Sequence, residues 1–448
     1  MMPASTPMRW RLAQLLMTFG ALCAPLAAVA ASSASDAPGQ SFGFRTADAP
    51  ARAAPASTRR SDLHLDLGLQ TRVFPRHGTL DQDRLQPSLS ARIEYRSSWN
   101  DGRHALTVTP FLRVDGMDDR RTHADLREAY YSHIGDGFEL HLGARRVFWG
   151  RTESLHLVDV INQSDLIEDI DGEDRLGQPM AQLVVPSAAG VFELFVLPGA
   201  RARTFASVDG RLAGPVRIDA DARFTGGADA LQTSWAVRWS HFIGDLEFGL
   251  AHFSGTAREP EFEVTAPVVR GEPIRLRPVY ETVALTSLDA QYILGDLALK
   301  LELLNRRGQG PRSTAFVAGF ERTFVGAFGT RADLGVLLEY LFDDRRESAT
   351  QFTFADDVFV GARLALNDPA GSTALVGLLG DPRTGERLLT VEASRRLGSS
   401  WRMALDLRLF SGGRATEPGD LAGLLDPDRR FSAIADDDYL QFEFTRYF

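Results

Sequence analysis

From Asp62 onward the chain alternates between apolar and polar positions. Leu63, Leu65, Leu67 and Leu69 fall on one side, and His64, Asp66, Gly68 and Gln70 on the other. That period of two belongs to a strand with one apolar face. The pattern returns with Leu89, Ala91, Ile93 and Tyr95, and then with Leu106, Val108, Pro110, Leu112 and Val114. Trp235, Val237 and Trp239 repeat it, as do Leu297, Leu299, Leu301 and Leu303, and Leu334, Val336, Leu338, Tyr340 and Phe342. Val358 to Leu366 and Trp401 to Leu409 continue it near the end. These runs span about ten residues, enough to cross a bilayer as a tilted strand. Outside residues 1–30, no apolar run approaches the 18 or so residues that a membrane-spanning helix needs.

The punctuation is asymmetric. Gly135-Asp136, Gly244-Asp245, Gly295-Asp296 and Gly398-Ser399 each separate two alternating runs and predict tight two-residue turns. The other connections are long and polar: 150–180, about 255–278, 343–356 and 411–437. Short turns at one end and long loops at the other predict an all-β, antiparallel, up-and-down transmembrane barrel of roughly 16–18 strands. The final segment, YLQFEFTRYF, puts Leu440, Phe442, Phe444 and Phe448 on one face, with Tyr447 as an interfacial aromatic. It resembles the C-terminal assembly signal of outer-membrane proteins, with Arg446 in a place that such signals usually give to an apolar residue. An arginine close to the membrane rim can reach water, so the departure is tolerable.

Composition adds the compartment. Arg9 and Arg11, the apolar stretch from Leu12 to Leu26, and Ala28-Val29-Ala30 form a secretory signal peptide over residues 1–30. Residues 31–61 are rich in Ala, Ser and Pro and predict a flexible segment, leaving 62–448 for the barrel. The only cysteine, Cys23, lies inside the signal peptide behind Leu22, where lipidation would require a small residue. The exported chain then holds no disulfide and no thiolate metal site. The full sequence has a net charge of -10, its basic residues are nearly all arginine, and Lys300 is its only lysine.

The most distinctive stretch runs from Arg145 to Met180, RRVFWGRTESLHLVDVINQSDLIEDIDGEDRLGQPM. At FWGRTES and VDVINQSD the chain resembles a poorly characterised family of proteobacterial outer-membrane barrels carrying Trp-Gly and then a V-D-x-I-N-x-x-D segment. The resemblance extends over most of residues 62–448 and implies a porin-like barrel without implying a substrate. Within the stretch, Leu155, Leu157, Val158, Val160 and Ile161 are too apolar for an external loop, so the segment is expected to fold back into the barrel mouth. Its carboxylates, Glu153, Asp159, Asp165, Glu168, Asp169, Asp171, Glu173 and Asp174, are then expected to face the opening. An EF-hand fails: with Gly172 as the turn glycine, the first and last ligand positions fall on Ile167 and Gln178.

The polar phase of the strands carries Arg92, Arg96, Arg113, Arg145, Arg363, Arg402 and Arg408, with Glu94, Glu139, Asp406 and Glu443 among them. Facing an acidic loop, these arginines would form a constriction of opposed charges, and charged rings set selectivity in pores. No G-x-S-x-G or H-E-x-x-H motif occurs, and Ser132 and His133 are neighbours on one strand and so point to opposite faces. The reading is a non-enzymatic outer-membrane channel for small solutes, without cofactor or metal. A receptor or export partner for a hydrophobic or lipid-like molecule is the alternative. Expected partners are outer-membrane lipid and lipopolysaccharide, the barrel-assembly machinery and a small solute, with no nucleic acid.

Overall fold

The computed structural model describes residues 59–345 and 354–448. The signal-peptide and flexible-segment assignments fall outside the described residues up to residue 58, and Arg60 and Ser61 already belong to the first strand. The strands in chain order are β1 (Arg60–Val73), β2 (Leu85–Trp99), β3 (His104–Asp115), β4 (His123–Ile134), β5 (Glu139–Arg145), β6 (Gln178–Ser187), β7 (Gly190–Pro198), β8 (Val216–Ile218), β9 (Arg223–Phe224), β10 (Thr233–Ile243), β11 (Leu246–Thr256), β12 (Glu261–Val264), β13 (Ile274–Tyr280), β14 (Thr282–Leu294), β15 (Leu297–Arg307), β16 (Ser313–Phe324), β17 (Asp333–Asp343), β18 (Asp356–Ala365), β19 (Thr373–Gly380), β20 (Arg387–Leu397), β21 (Trp401–Ser411) and β22 (Tyr439–Tyr447).

An 18-stranded antiparallel sheet includes all of these except β8, β9, β12 and β13, and it closes on itself through β22 and β1. Closure removes the exposed strand edges that an open sheet would leave. The alternation on β1 sets its orientation: Leu63 and Leu69 are half-exposed on the outside, while Gln70 and Arg72 are buried within. An apolar outer face is what lipid requires, because no water is available there to solvate a polar side chain. Aromatic groups gather on that face near the short turns, Phe192, Trp239, His241 and Phe248 in one cluster and Trp99, His104 and Tyr131 in another. Such clusters form the interfacial girdle of a membrane barrel.

The two-residue turns at Gly244 and Gly295 have φ 59° and 62°, the left-handed backbone that such a hairpin demands, whereas the turn at Gly398, φ 67°, has three residues, one more than expected, since Leu397 pairs with Trp401. After β4 the positive φ falls on Gly137 and not on Gly135, so this turn is longer than expected, with the Gly135 N–H donating to the Phe138 carbonyl at 2.9 Å. At the opposite end the connections are long, including one at 198–233 that the turn signals did not mark. It contributes β8 and β9 to a four-stranded sheet with β12 and β13. Phe205, Val216, Ile218, Ile274 and Leu276 form a small separate core for that sheet.

At the closing seam Val73 faces Leu440, Thr71 faces Phe442 and Leu69 faces Phe444. Leu440, Phe442 and Phe444 therefore share the outward phase of β1. Arg446 takes the same phase opposite Leu67, with its guanidinium over the rings of Trp401 at 5.4 Å and Phe448 at 4.6 Å. Tyr447 differs from expectation: it lies opposite Asp66, in the inward phase at the rim.

Candidate functional site: a loop across the lumen

Arg145 and Gln178 are paired neighbours at the ends of β5 and β6, so a tight turn could join them. Instead residues 146–177 run into the barrel. Trp149, Val158 and Ile161 are buried against inward residues of β7, β10, β11, β14 and β15, among them Phe195, Leu197, Phe253 and Leu285. Trp149 meets Phe195 edge-on at 5.6 Å, with the Arg238 guanidinium 5.0 Å above the indole. Leu155 and Leu157 pack on Val317, Leu337, Leu341, Phe359 and Leu379 from β16 to β19, and Ile170 packs on the cluster of Phe410, Phe431 and Ile434. Each fully buried large apolar side chain contributes about 1.5–3 kcal/mol, so these contacts supply a large part of what holds the loop inside.

Two wall carboxylates hold its backbone. Glu302 of β15 is fully buried and accepts the Arg151 N–H at 2.6 Å, the Thr152 N–H at 3.0 Å, the Thr152 hydroxyl at 2.8 Å and the Val158 N–H at 3.2 Å. Glu339 of β17 accepts the Glu153 and Ser154 N–H groups at 2.8 Å each and the Ser154 hydroxyl at 2.5 Å. Hydrogen bonds to an ionised acceptor are about twice as strong as neutral ones. Gly150 makes the approach possible, since a Cβ there would sit 3.1 Å from Glu302 Oε1 and 3.0 Å from His156 Nδ1. Neither Glu302 nor Glu339 stood out in the sequence. They share the inward phase with other charged residues, Lys300 and Arg306 on β15 and Asp333 and Asp343 on β17, so nothing in the strand pattern singled them out.

The loop carboxylates meet wall arginines, but several are not free in the opening. Arg113 and Glu168 pair at 2.7 Å, and Arg127 and Asp165 at 2.6 Å, with all four side chains buried. Asp169 lies 3.7 Å from Arg72, and Asp159 pairs with Arg175 of its own loop at 3.0 Å. Glu153 pairs with Arg363, which also reaches Glu321 at 3.4 Å, and Asp171 lies 3.3 Å from Arg408, itself 2.7 Å from Glu392. The expectation that Asp159, Asp165 and Glu168 face water is thus corrected. Their arginine partners make burial tolerable, and they act as tethers. Burial alone would push the Glu168 carboxyl up, but Arg113, Arg121 and Arg127 outweigh it and hold it at about 2. Around them Arg121 is fully buried between Asp115 at 2.7 Å and Gln70 at 2.6 Å, and this network fills the lumen beside β1 to β4.

His123, Asp165 and Glu168 bring one ligand atom each within 4.8 Å of one another. Both carboxylates are already neutralised by guanidinium groups, so the trio does not offer a cation the free anionic oxygens it needs.

The remaining arginines lie apart from the loop. Arg92 pairs with Asp66 at 2.6 Å, and Arg402 donates to Ser394 at 3.0 Å. Arg96 is exposed and makes no ion pair among the described residues. Arg145 donates to Gln182 beneath the Tyr130 ring. Ser132 meets a histidine across the strand pair, not along the chain: its hydroxyl is 2.8 Å from His141 Nδ1, and the other ring nitrogen is 3.5 Å from Glu139.

Between the loop and strands β14 to β21 lies a cavity of about 340 Å³. Leu285, Leu304, Val317, Leu341, Phe359 and Phe410 give it an apolar stretch of wall, and Arg203, Arg258 and Arg408 line it together with Asp159, Asp171, Glu259, Glu261 and Glu392. The lumen beside β1 to β4 is therefore filled by paired charges, while the cavity on the other side is lined by apolar and charged side chains together. Strict alternation does not predict inward apolar residues. Their trace in the sequence is the continuous apolar run, as in VLLEYLF of β17 and ALVGLLG of β19.

No protein-family model matches the chain, and no curated protein matches it in sequence. Solved structures do match it in fold. OpdO of Pseudomonas aeruginosa superposes with a TM-score of 0.50 at 10% identity, covering 87% of this chain and 96% of that chain. The fold is that of an outer-membrane β-barrel. OccK9 (OpdG) of the same organism gives 0.49 at 12% identity over 87% and 97% of the two chains. Wzi, an Escherichia coli outer-membrane protein involved in group 1 capsule assembly and described as a carbohydrate-binding β-barrel, gives 0.49 at 9% identity over 86% and 84%. At such identities the likeness is one of architecture, and the resemblance at FWGRTES and VDVINQSD rests on those residues alone.

Proposed function

We propose that this chain is an outer-membrane porin-like channel for small solutes, with residues 146–177 as its constriction. The observation that carries the reading is the loop itself, drawn across the lumen, tied to the wall on several sides and leaving a cavity along one wall. In this reading Glu153, Asp171, Arg363 and Arg408 border the passage, while Arg92, Arg96 and Arg402 line the lumen toward the short turns. Asp159, Asp165, Glu168 and Asp169, with Arg113, fix the loop, and Arg145 steadies its root. Lipid and lipopolysaccharide surround the apolar belt, and the barrel-assembly machinery handles the C-terminal strand. Purified protein in a planar lipid bilayer should give discrete conductance steps in KCl, and the absence of steps at every salt concentration would remove the channel reading.

The apolar cavity wall favours a second reading, a receptor or export partner for a hydrophobic or lipid-like molecule. It predicts retention of such a molecule by a barrel that conducts no ions.

A further inference from the structure

Most arginines around the cavity have an anionic partner. Arg306 and Arg345 share Glu259, at 2.8 and 3.0 Å, and Arg345 also pairs with Asp343 at 2.6 Å. Arg175 pairs with Asp159 and Arg408 with Glu392. Arg203 and Arg258 have none within ion-pair distance, although Glu259 stands close enough to Arg203 to favour its charge. Arg258 is 8% exposed and spends two nitrogens on backbone carbonyls, Nε on Ile161 at 2.9 Å and Nη1 on Thr256 at 3.2 Å. Its remaining nitrogen, Nη2, is buried with no hydrogen-bond partner. Arg203 donates to the Gln163 side chain at 3.2 Å and to the Arg258 carbonyl at 3.4 Å. Among the described residues no carboxylate lies within ion-pair distance of either guanidinium.

A buried cation lacking a counter-ion is costly. Burial lowers Arg258 only to about 10, so it keeps its charge at neutral pH. Both arginines line the cavity, and so do Val160, Ala257, Val283, Leu285 and Leu304. Asp159, Glu259 and Glu261 also line the cavity, but the unpaired Arg258 nitrogen beside Val283, Leu285 and Leu304 matches a molecule with an anionic head and a compact apolar body.

We propose that Arg203 and Arg258 form an anion-binding site in the lumenal cavity, taking the carboxylate or phosphate head of a small amphipathic solute whose body rests on Val283, Leu285 and Leu304. This rests on the channel reading for its claim that such a molecule is the solute. The two guanidinium groups supply the charge-assisted donors.

The test is calorimetry on the full-length protein in detergent with benzoate, phenyl phosphate and neutral benzamide. At least one anion should bind about tenfold or more tightly than benzamide, the scale of one lost charged partner, and the better anion identifies the head group. Arg203→Gln and Arg258→Gln should each abolish that preference, and Arg258→Lys should retain part of it. Arg258 also holds the Ile161 carbonyl, so Arg203→Gln, which leaves that bond in place, keeps the test valid if the Arg258 variants fail to fold. Equal binding of the three probes, no binding, or an anion preference unchanged in Arg203→Gln would overturn the site. Conductance of the same samples in KCl reads the channel independently: steps without anion preference sink the site alone, and anion preference without steps sinks the channel alone.

Discussion

Glu302 shows how a single side chain can determine where a loop lies. Its carboxylate accepts from three loop N–H groups, those of Arg151, Thr152 and Val158, none of which has a strand to pair with. Glu302→Ala leaves those donors buried and unsatisfied, at about 1–3 kcal/mol each, so the loop should detach. Trypsin should then cleave folded, detergent-solubilised protein after Arg151 far faster than it cleaves the wild type, and equal protection would show that the apolar contacts suffice. Glu168 gives a pH dependence whose sign is fixed. Its folded value of about 2 lies below the unfolded value of about 4.3, so its contribution is complete above about 4.3 and is lost as pH falls toward 2. The Glu168 tether should hold from about pH 7 to 5 and release below about 3, with a rise in conductance there that Glu168→Gln lacks. Glu168→Gln breaks a buried pair worth about 3–5 kcal/mol and should show the larger level already at neutral pH.

At the scale of elements, the strands and the loop were legible to different depths. The period of two in β1, β2 and β15 needed only local chemistry, since lipid on one side and a polar lumen on the other impose it residue by residue. The inward course of the loop was legible from Leu155, Leu157, Val158 and Ile161, because apolar side chains need a wall. The burial of Asp165 and Glu168 was not. Periodicity says which face a residue takes but not what stands opposite, and their partners Arg127 and Arg113 lie more than thirty residues away in sequence. The sheet of β8, β9, β12 and β13 was illegible for a similar reason: it is built from pieces of two to seven residues and includes parallel pairs between distant segments. Since Arg145 and Gln178 already face each other, residues 146–177 can be replaced by a turn of about four residues without straining β5 or β6. The channel reading predicts that this variant inserts normally and conducts several-fold more than the parent. An unaltered step size would place the constriction elsewhere.

For the whole molecule the decisive contact is the seam between the first and last strands. Every other barrel pairing is made by segments joined through a connection, whereas β1 and β22 must find each other from opposite ends of the described chain. Their register runs from Val73 opposite Leu440 to Asp66 opposite Tyr447, and Phe448 continues it, donating its N–H to the Leu65 carbonyl at 3.0 Å and accepting the Leu65 N–H at 3.5 Å. Its ring also sits beneath the Arg446 guanidinium. Deleting Phe448 removes only this last rung, so a barrel that has already closed should lose little: the midpoint of thermal unfolding of purified protein should change by no more than a few degrees. Assembly is different, because the terminal strand must be captured before its pairing with β1 exists to hold it. We therefore expect the deletion to lower outer-membrane levels several-fold, Phe448→Ala to fall between it and the wild type, and Arg446→Leu, which leaves the outward aromatic series intact, to assemble normally. Measuring the heat-modifiable, folded fraction in isolated outer membranes separates these outcomes. If the truncated chain reaches wild-type levels, Phe448 is one rung of the seam and the resemblance of YLQFEFTRYF to an assembly signal has no functional content.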